Sequence, residues 1–318
     1  MIEMGHYATA FQNLLGQYQK ITILSHINPD PDAIGTALGI YACLRQQKFQ
    51  VEVVNATEDI PRYLDFLPYF TKIKQKIDFS DSLIIACDCG SLDRLGFVIE
   101  GREIVNIDHH ATNSQYGVLN IVDAEAVSSS EVAFALLEAL YPISRESAVA
   151  FYAALVSDTR NFTTSNMSQS VFDFAAKLVG FGVDITEVTQ KMLHRRSLAS
   201  LRILGVAINS LELREDARVA ILKISQKDLS DTGAKMSDLD GVVDYAKSLA
   251  TVEVALMLVE RKSSIKVSLR SKKADISSIA SFFGGGGHIQ AGGFEKEGEM
   301  MQLAEEIMDE IRKRGLLS

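Results

Sequence analysis

Four short strand-like runs rich in apolar residues, spaced by segments of other periodicity, constrain this chain more than any other feature. They are Ile21 to Leu24, Gln50 to Asn55, Leu83 to Cys87 and Glu103 to Ile107, each with the length and β-branched content of a buried strand. Residues 5–20 and 33–47 have helical spacing around the first run. Strands alternating with helices predict a mainly parallel sheet. In such sheets the ligand site lies beyond the carboxyl ends of the strands. His26 follows the first run, Asp88 ends the third and Asp108 ends the fourth. Three separate strands therefore bring polar side chains to one crevice, a convergence harder to reach by chance than any single motif.

The loop after the first run reads Ser25-His26-Ile27-Asn28-Pro29-Asp30-Pro31-Asp32. Pro29 and Pro31 stiffen it. A polar turn in which Asp32 caps a helix starting at Ala33 explains one of its donors and leaves His26 and Asp30 without a role. Hard oxygen donors mixed with imidazoles are what a pair of Mn²⁺ or Mg²⁺ ions requires. Two such ions a few ångströms apart can hydrolyse phosphate esters. Asp88 is placed to bridge two cations, and Asp158, closing a helical stretch at 144–157, can join it. In Asp108-His109-His110 adjacent side chains diverge, so one imidazole is expected to ligate metal and the other to face substrate. Asp108 is expected to orient a ligating imidazole.

From about 128 to 210 the pattern is helical, at 129–140, 144–157, 168–181, 185–193 and 197–210. Strands return at 211–224, 252–260 and 264–270, and helices are predicted at 275–283 and 299–314. The expected architecture is α/β. A metal-binding catalytic domain is placed at 1–190, a helical linker at 191–215 and a smaller substrate-binding α/β domain at 216–318, with the active site in the cleft between the domains. The last of these contains Phe283-Gly284-Gly285-Gly286-Gly287-His288, then Ala291-Gly292-Gly293-Phe294. Successive glycines expose backbone N–H groups and can form an anion nest, so this stretch reads as an anion-contact loop rather than a linker.

With 47% hydrophobic residues in 318 and a net charge of −9, the chain can bury a substantial core. There is no run of 18 apolar residues, and the N-terminus lacks a cationic start followed by an apolar stretch; neither a membrane span nor a secretory signal is expected. Cys43, Cys87 and Cys89 are read as buried thiols of a reducing cytoplasm, too few for a zinc site. The acidic balance argues against a grip on long nucleic acid. One acid-free cationic segment, residues 261–273, stands apart from it. His6, near the terminus, and His194, in a segment read as surface helix, fall outside these constellations.

Taken together, these motifs resemble the DHH phosphoesterase superfamily with a DHH-associated C-terminal domain carrying a Gly-Gly-Gly-Gly-His motif. The resemblance covers essentially the whole chain, and the layout is most similar to the bifunctional oligoribonuclease and 3′-phosphoadenosine-5′-phosphate (pAp) phosphatase group, the nano-RNases. It implies that His26, Asp30, Asp32, Asp88, His109 and Asp158 bind two Mn²⁺, with Mg²⁺ a possible substitute, and that Asp88 bridges them. It implies catalytic roles for Asp88, His110 and Asp158, His110 approaching the scissile phosphate. Arg270 and the segment Gly285, Gly286, Gly287 and His288 would contact substrate. Short RNA and nucleotides are the implied substrates, with no long nucleic acid, no membrane and a homodimer possible. An alternative is a phosphodiesterase of cyclic dinucleotides or their linear products. An inorganic pyrophosphatase fits less well, because that family has a different C-terminal domain. Where relatives usually carry Gly after Asp-Thr, this chain has Arg160.

Overall fold

The computed structural model describes residues 4–193 and 195–317; His194 lies outside them. The chain divides into two units, Met1–Arg195 and Arg196–Ser318. In the first, α1 (Met4–Leu15) leads into β1 (Lys20–Ser25), α2 (Pro31–Leu44) and β2 (Gln50–Val54). Then come β3 (Ile73–Lys74), β4 (Leu83–Cys87), β5 (Ile104–Asp108) and β6 (Leu119–Val122), followed by α3 (Ser129–Glu138), α4 (Arg145–Asp158), α5 (Gln169–Gly180) and α6 (Ile185–Leu193). The strands form one sheet in the order β3-β2-β1-β4-β5-β6, and every pairing is parallel. Strand order reverses between β1 and β4, and this switch point is where a parallel sheet opens a crevice at its carboxyl ends.

Helix α2 is buried along its whole length and lies against α4. Gly35 and Gly39 make that approach possible: a Cβ at Gly35 would meet the Ala150 carbonyl at 2.6 Å, and one at Gly39 would meet the Phe151 ring at 2.3 Å. This contact brings the N-terminal end of α2, with Asp30 and Asp32, towards the C-terminal end of α4, where Asp158 sits. The cap of α2 corrects the sequence reading. The helix begins at Pro31, and Asp30 caps it by accepting from the Ala33 N–H at 3.0 Å. Asp32 is thereby left inside the first turn, turned inward. Proline at the first helical position needs no N–H partner, which favours the earlier start.

The second unit contains α7 (Leu198–Asn209), β7 (Glu212–Arg214), β8 (Val219–Ile224), α8 (Gln226–Thr232) and α9 (Val242–Lys247). It continues with β9 (Val254–Glu260), β10 (Ile265–Ser271), α10 (Ser277–Phe282), β11 (Gly286–His288), β12 (Ala291–Lys296) and α11 (Met300–Lys313). Its sheet runs β11-β12-β10-β9-β8-β7, antiparallel except for the β8–β9 pair. One face packs on α10 and α11 through Leu256, Val267, Leu269, Ile279 and Ile307. The other packs on α7 and α9 through Ile203, Ala207, Ala255 and Met257. Helix α7, expected within a linker, therefore contributes to this unit's core. Among the described residues no helix is long and apolar enough to cross a membrane.

Candidate metal centre

His26 follows β1, Asp88 follows β4, and Asp108 ends β5 with His109 directly after it, so the switch point collects them. Asp88 leaves its strand at φ 53°, in the left-handed region that non-glycine residues avoid. Its two carboxylate oxygens face different neighbours. Oδ2 lies 3.5 Å from His26 Nε2, while Oδ1 lies 3.8 Å from His109 Nε2 and 3.7 Å from His110 Nδ1. His26 Nε2 is also 3.8 Å from Asp30 Oδ2, and His109 Nε2 is 3.9 Å from Asp32 Oδ2 and 3.4 Å from Asp158 Oδ2. Two donor sets result, His26–Asp30–Asp88 and Asp32–Asp88–His109, sharing Asp88.

The far nitrogens of both imidazoles are anchored. His26 Nδ1 bonds the Ile27 carbonyl at 2.8 Å, and His109 Nδ1 bonds the Ala126 carbonyl at 3.3 Å. Each anchor turns Nε2 towards the carboxylates, the arrangement a ligating histidine uses. This corrects the role given to Asp108. Its carboxylate bonds His110 Nδ1 at 2.7 Å, not His109, and Asn113 also donates to it.

Ser129 was missed by the sequence reading. Its hydroxyl donates to Asp88 Oδ1 at 2.9 Å and its N–H to Asp32 Oδ2 at 2.8 Å, while Thr36 donates to Asp32 Oδ1 at 3.0 Å. The N-terminal end of α3 thus points its N–H groups and dipole at Asp32. The run Ser128-Ser129-Ser130 was the available signal, since Ser128 is the helix cap.

The electrostatics call for cations. Burial pushes the Asp32 carboxyl well above its ordinary range, and Asp88 and Asp30 push it further. Asp158 is pushed up by burial, then by Asp32, Asp30 and Asp88. Asp88 goes the other way: burial opposes ionisation, but His26, His110 and His109 hold it down. Burial opposes a charge on His26 as well, yet Asp30 and Asp88 raise it to about 10; Asp108 likewise overcomes burial to raise His110 to about 9. Several carboxylates competing for the same imidazole protons are too many negative charges for their surroundings. Divalent cations would resolve that conflict, and the oxygen-plus-imidazole donor set fits Mn²⁺ or Mg²⁺.

Residues expected to contact substrate lie in the second unit. His288, Ala291 and Arg270 occupy one cross-strand row of β11, β12 and β10, which puts Arg270 and His288 on the same sheet face. Arg270 leans towards Asp244 at 3.7 Å. The glycine run differs from the expected loop: Gly286 to His288 form an exposed edge strand paired with β12. Much of the cationic segment at 261–273 is committed locally. Arg261 pairs with Glu295 at 2.9 Å, and Lys272 donates to the Leu249 and Ala250 carbonyls at 2.6 and 3.1 Å.

A parallel sheet with an acid–imidazole centre at its switch point, followed by a mixed-sheet unit with a glycine-rich hairpin at its sheet edge, defines the class. Residues 20–157 match the DHH family, N-terminal domain, and residues 216–313 match the DHHA1 domain. The chain thus carries a DHH N-terminal domain followed by a DHHA1 domain. It is 29% identical over 299 residues to the bifunctional oligoribonuclease and PAP phosphatase NrnA of Thermus thermophilus, covering 92% of this chain and 89% of that protein. It is 26% identical over 282 residues to the protein of that name from Bacillus subtilis, covering 87% and 89%. Among solved structures, an exopolyphosphatase-related protein from Bacteroides fragilis superposes with a TM-score of 0.88 at 25% identity, covering 97% of each chain.

Proposed function

We propose that this chain is a Mn²⁺-dependent, two-metal phosphoesterase that hydrolyses short oligoribonucleotides to mononucleotides and dephosphorylates pAp to AMP. The observation that carries this reading is the pair of donor sets joined at Asp88, whose two oxygens face opposite partners. The substrate class comes from the names of the Thermus and Bacillus relatives. His26, Asp30 and Asp88 would hold one ion; Asp32, Asp88, His109 and Asp158 would hold the other. Such a pair, once bound, supplies Lewis acidity and an activated water to phosphoryl chemistry. The chain's own residues do the rest. Asp88 and Asp158 accept hydrogen bonds from the attacking water and orient it. His110, held by Asp108 through Nδ1, turns Nε2 to a phosphoryl oxygen, and the Asp108 carboxylate favours the protonated ring that can donate there. Arg270 and His288 contact the nucleotide away from the scissile bond, adding binding energy that positions the phosphate.

The three cysteines are buried thiols, which fits a cytoplasmic protein. A net charge of −9 fits short substrates, because affinity for long strands comes from neutralising many phosphates. The test is a product time course on labelled dinucleotide, pAp and cyclic di-AMP with Mn²⁺ supplied. Rapid conversion of dinucleotide and pAp, with cyclic di-AMP slow, supports the proposal. Preferential opening of cyclic di-AMP replaces it with the cyclic-dinucleotide alternative, and no hydrolysis of any of the three overturns it.

A further inference from the structure

The backbone just beyond Asp158 is held against its own preferences. Helix α4 closes in a full Schellman arrangement around Thr159: the Arg160 N–H donates to the Ser157 carbonyl at 2.9 Å and the Asn161 N–H to the Val156 carbonyl at 2.8 Å. That closure places the next residue in the left-handed region, where glycine is the usual occupant. Here Arg160 takes φ 47°, and Asn161 and Phe162 follow at 58° and 61°. The buried Oδ1 of Asn161 and Oγ1 of Thr164 add two acceptors with no hydrogen-bond partner. Thr159 locks the turn, donating to the Leu155 carbonyl at 2.6 Å and accepting from the Phe162 N–H at 3.1 Å.

Folding alone does not call for an arginine at such a position; glycine would adopt the same backbone with less strain. Strain kept beside a functional residue points to use of the side chain. Arg160 sits two residues beyond Asp158, where the chain leaves α4, and is only partly buried. A guanidinium presents a rigid fork of donors matched to phosphate oxygens.

We propose that Arg160 is a substrate-gripping residue of the metal centre, its guanidinium binding the non-bridging oxygens of the phosphate under attack. This rests on the phosphoesterase reading and deepens it. It separates Arg160 from Arg270 and His288, which are assigned to the nucleotide beyond the scissile bond.

The test compares wild type with Arg160→Gly, Arg160→Gln and Arg160→Lys, on a dinucleotide and on bis-p-nitrophenyl phosphate. Melting temperature, Mn²⁺ content and inorganic phosphate affinity by calorimetry are measured alongside. Arg160→Gly and Arg160→Gln should each lose about 30-fold or more in kcat/KM on both esters, which share only the attacked phosphate. Arg160→Lys should keep part of the activity, because charge survives while the fork is lost. Mn²⁺ content should be unchanged, and the glycine variant should melt no lower than wild type. Phosphate affinity should fall about tenfold in the glycine and glutamine variants. Activity of Arg160→Gln within twofold of wild type overturns the proposal. So does a loss confined to the dinucleotide, or one that tracks a lowered melting temperature. Should wild type hydrolyse neither ester, the phosphoesterase reading fails; phosphate affinity then decides alone, its fall supporting the grip and its constancy overturning it.

Discussion

The two regions to which the proposed chemistry is assigned are built in opposite ways. The centre at the β1–β4 switch point is made of buried charged side chains: His26, Asp32, Asp88, Asp108 and His109 are all below one-tenth exposed. The hairpin of β11 and β12 is made largely of backbone, with His288 and the glycines before it exposed to solvent. Buried charge must be compensated, so every group in the first region depends on several others. An exposed backbone strip needs no such compensation. The lesson is a division of labour: disturbing the first region should affect every substrate alike, and disturbing the second should affect some substrates and spare others.

The largest effect tests the shared ligand. Asp88→Ala removes the one carboxylate common to both donor sets. It should lower kcat on dinucleotide, pAp and bis-p-nitrophenyl phosphate alike by about 10³-fold or more, and bound Mn²⁺ should fall well below wild type. Chelation of wild type should do the same, reversibly. Metal analysis paired with rates on the three substrates checks this, and full activity in a stripped preparation would break the comparison at its stronger side.

Next comes the discrimination expected of the second region. Arg270→Ala and His288→Ala should each lose about 10²-fold on pAp and dinucleotide, the scale set by lost positioning. The small ester should change by less than about fivefold, and Mn²⁺ content should stay normal. Equal losses on all substrates would mean that these residues support the fold or the centre itself.

Legibility in the sequence follows the same divide. The central strands of the first unit were readable because they are buried on both faces and rich in β-branched apolar residues; β1, β4 and β5 fall within a residue of expectation. β3 and β6 were not, being short edge strands with polar residues such as Lys74 and Asn120. The metal-type residues were readable because acids and imidazoles at strand ends are chemically conspicuous. Their supports were not. Ser129 reaches Asp32 and Asp88 only through the packing of α3, and the Ala126 carbonyl that orients His109 has no side-chain signature. Choosing between His109 and His110 as the partner of Asp108 required the turn after β5. In the second unit the glycine run was conspicuous, but its strand pairing was hidden because glycine carries no periodic signal.

A smaller effect comes from titration, and it belongs to the first region alone. Without metal, His26 and His110 are raised to about 10 and about 9, and Asp32 and Asp158 are raised above the usual carboxylate range. A folded state that binds more protons than the unfolded one loses stability as pH rises. For the two histidines the window runs from their unfolded value near 6.5 up through 9 to 10. Chelated protein should therefore melt about 5 °C or more lower at pH 9 than at pH 6.5. Asp88 and Asp108, shifted downward, act below that window and do not offset the loss. Metal binding displaces the protons on the ligating groups His26, Asp32 and Asp158, so stabilisation by Mn²⁺ should grow with pH. Scanning fluorimetry with and without Mn²⁺ reads both slopes; a melting temperature that rises with pH in the chelated protein would show that the acids are not crowded as described.

The smallest effect separates two neighbouring glycines and asks whether the hairpin is shaped by its own packing or by what it holds. At Gly285 a Cβ would lie 2.1 Å from the Gly293 carbonyl and 2.5 Å from Phe294 Cβ, so backbone there leaves no room for a side chain. Gly285→Ala should cost about 1–3 kcal/mol by overpacking, seen as a melting temperature lower by a few degrees and a loss on nucleotides that follows it. At Gly286 an added Cβ meets nothing within 4 Å, and no left-handed φ requires glycine. Its register places it beside Gly293 and, two residues from His288, on the face that also bears Arg270. Packing within the strand therefore gives no reason for glycine at 286, and a ligand lying close against the backbone would. Gly286→Ala should leave the melting temperature within about 1 °C while weakening pAp and dinucleotide turnover and sparing the small ester. A stable variant with unchanged KM and kcat on both nucleotides would remove Gly286 from the binding surface and leave Arg270 and His288 to carry the second region's selectivity.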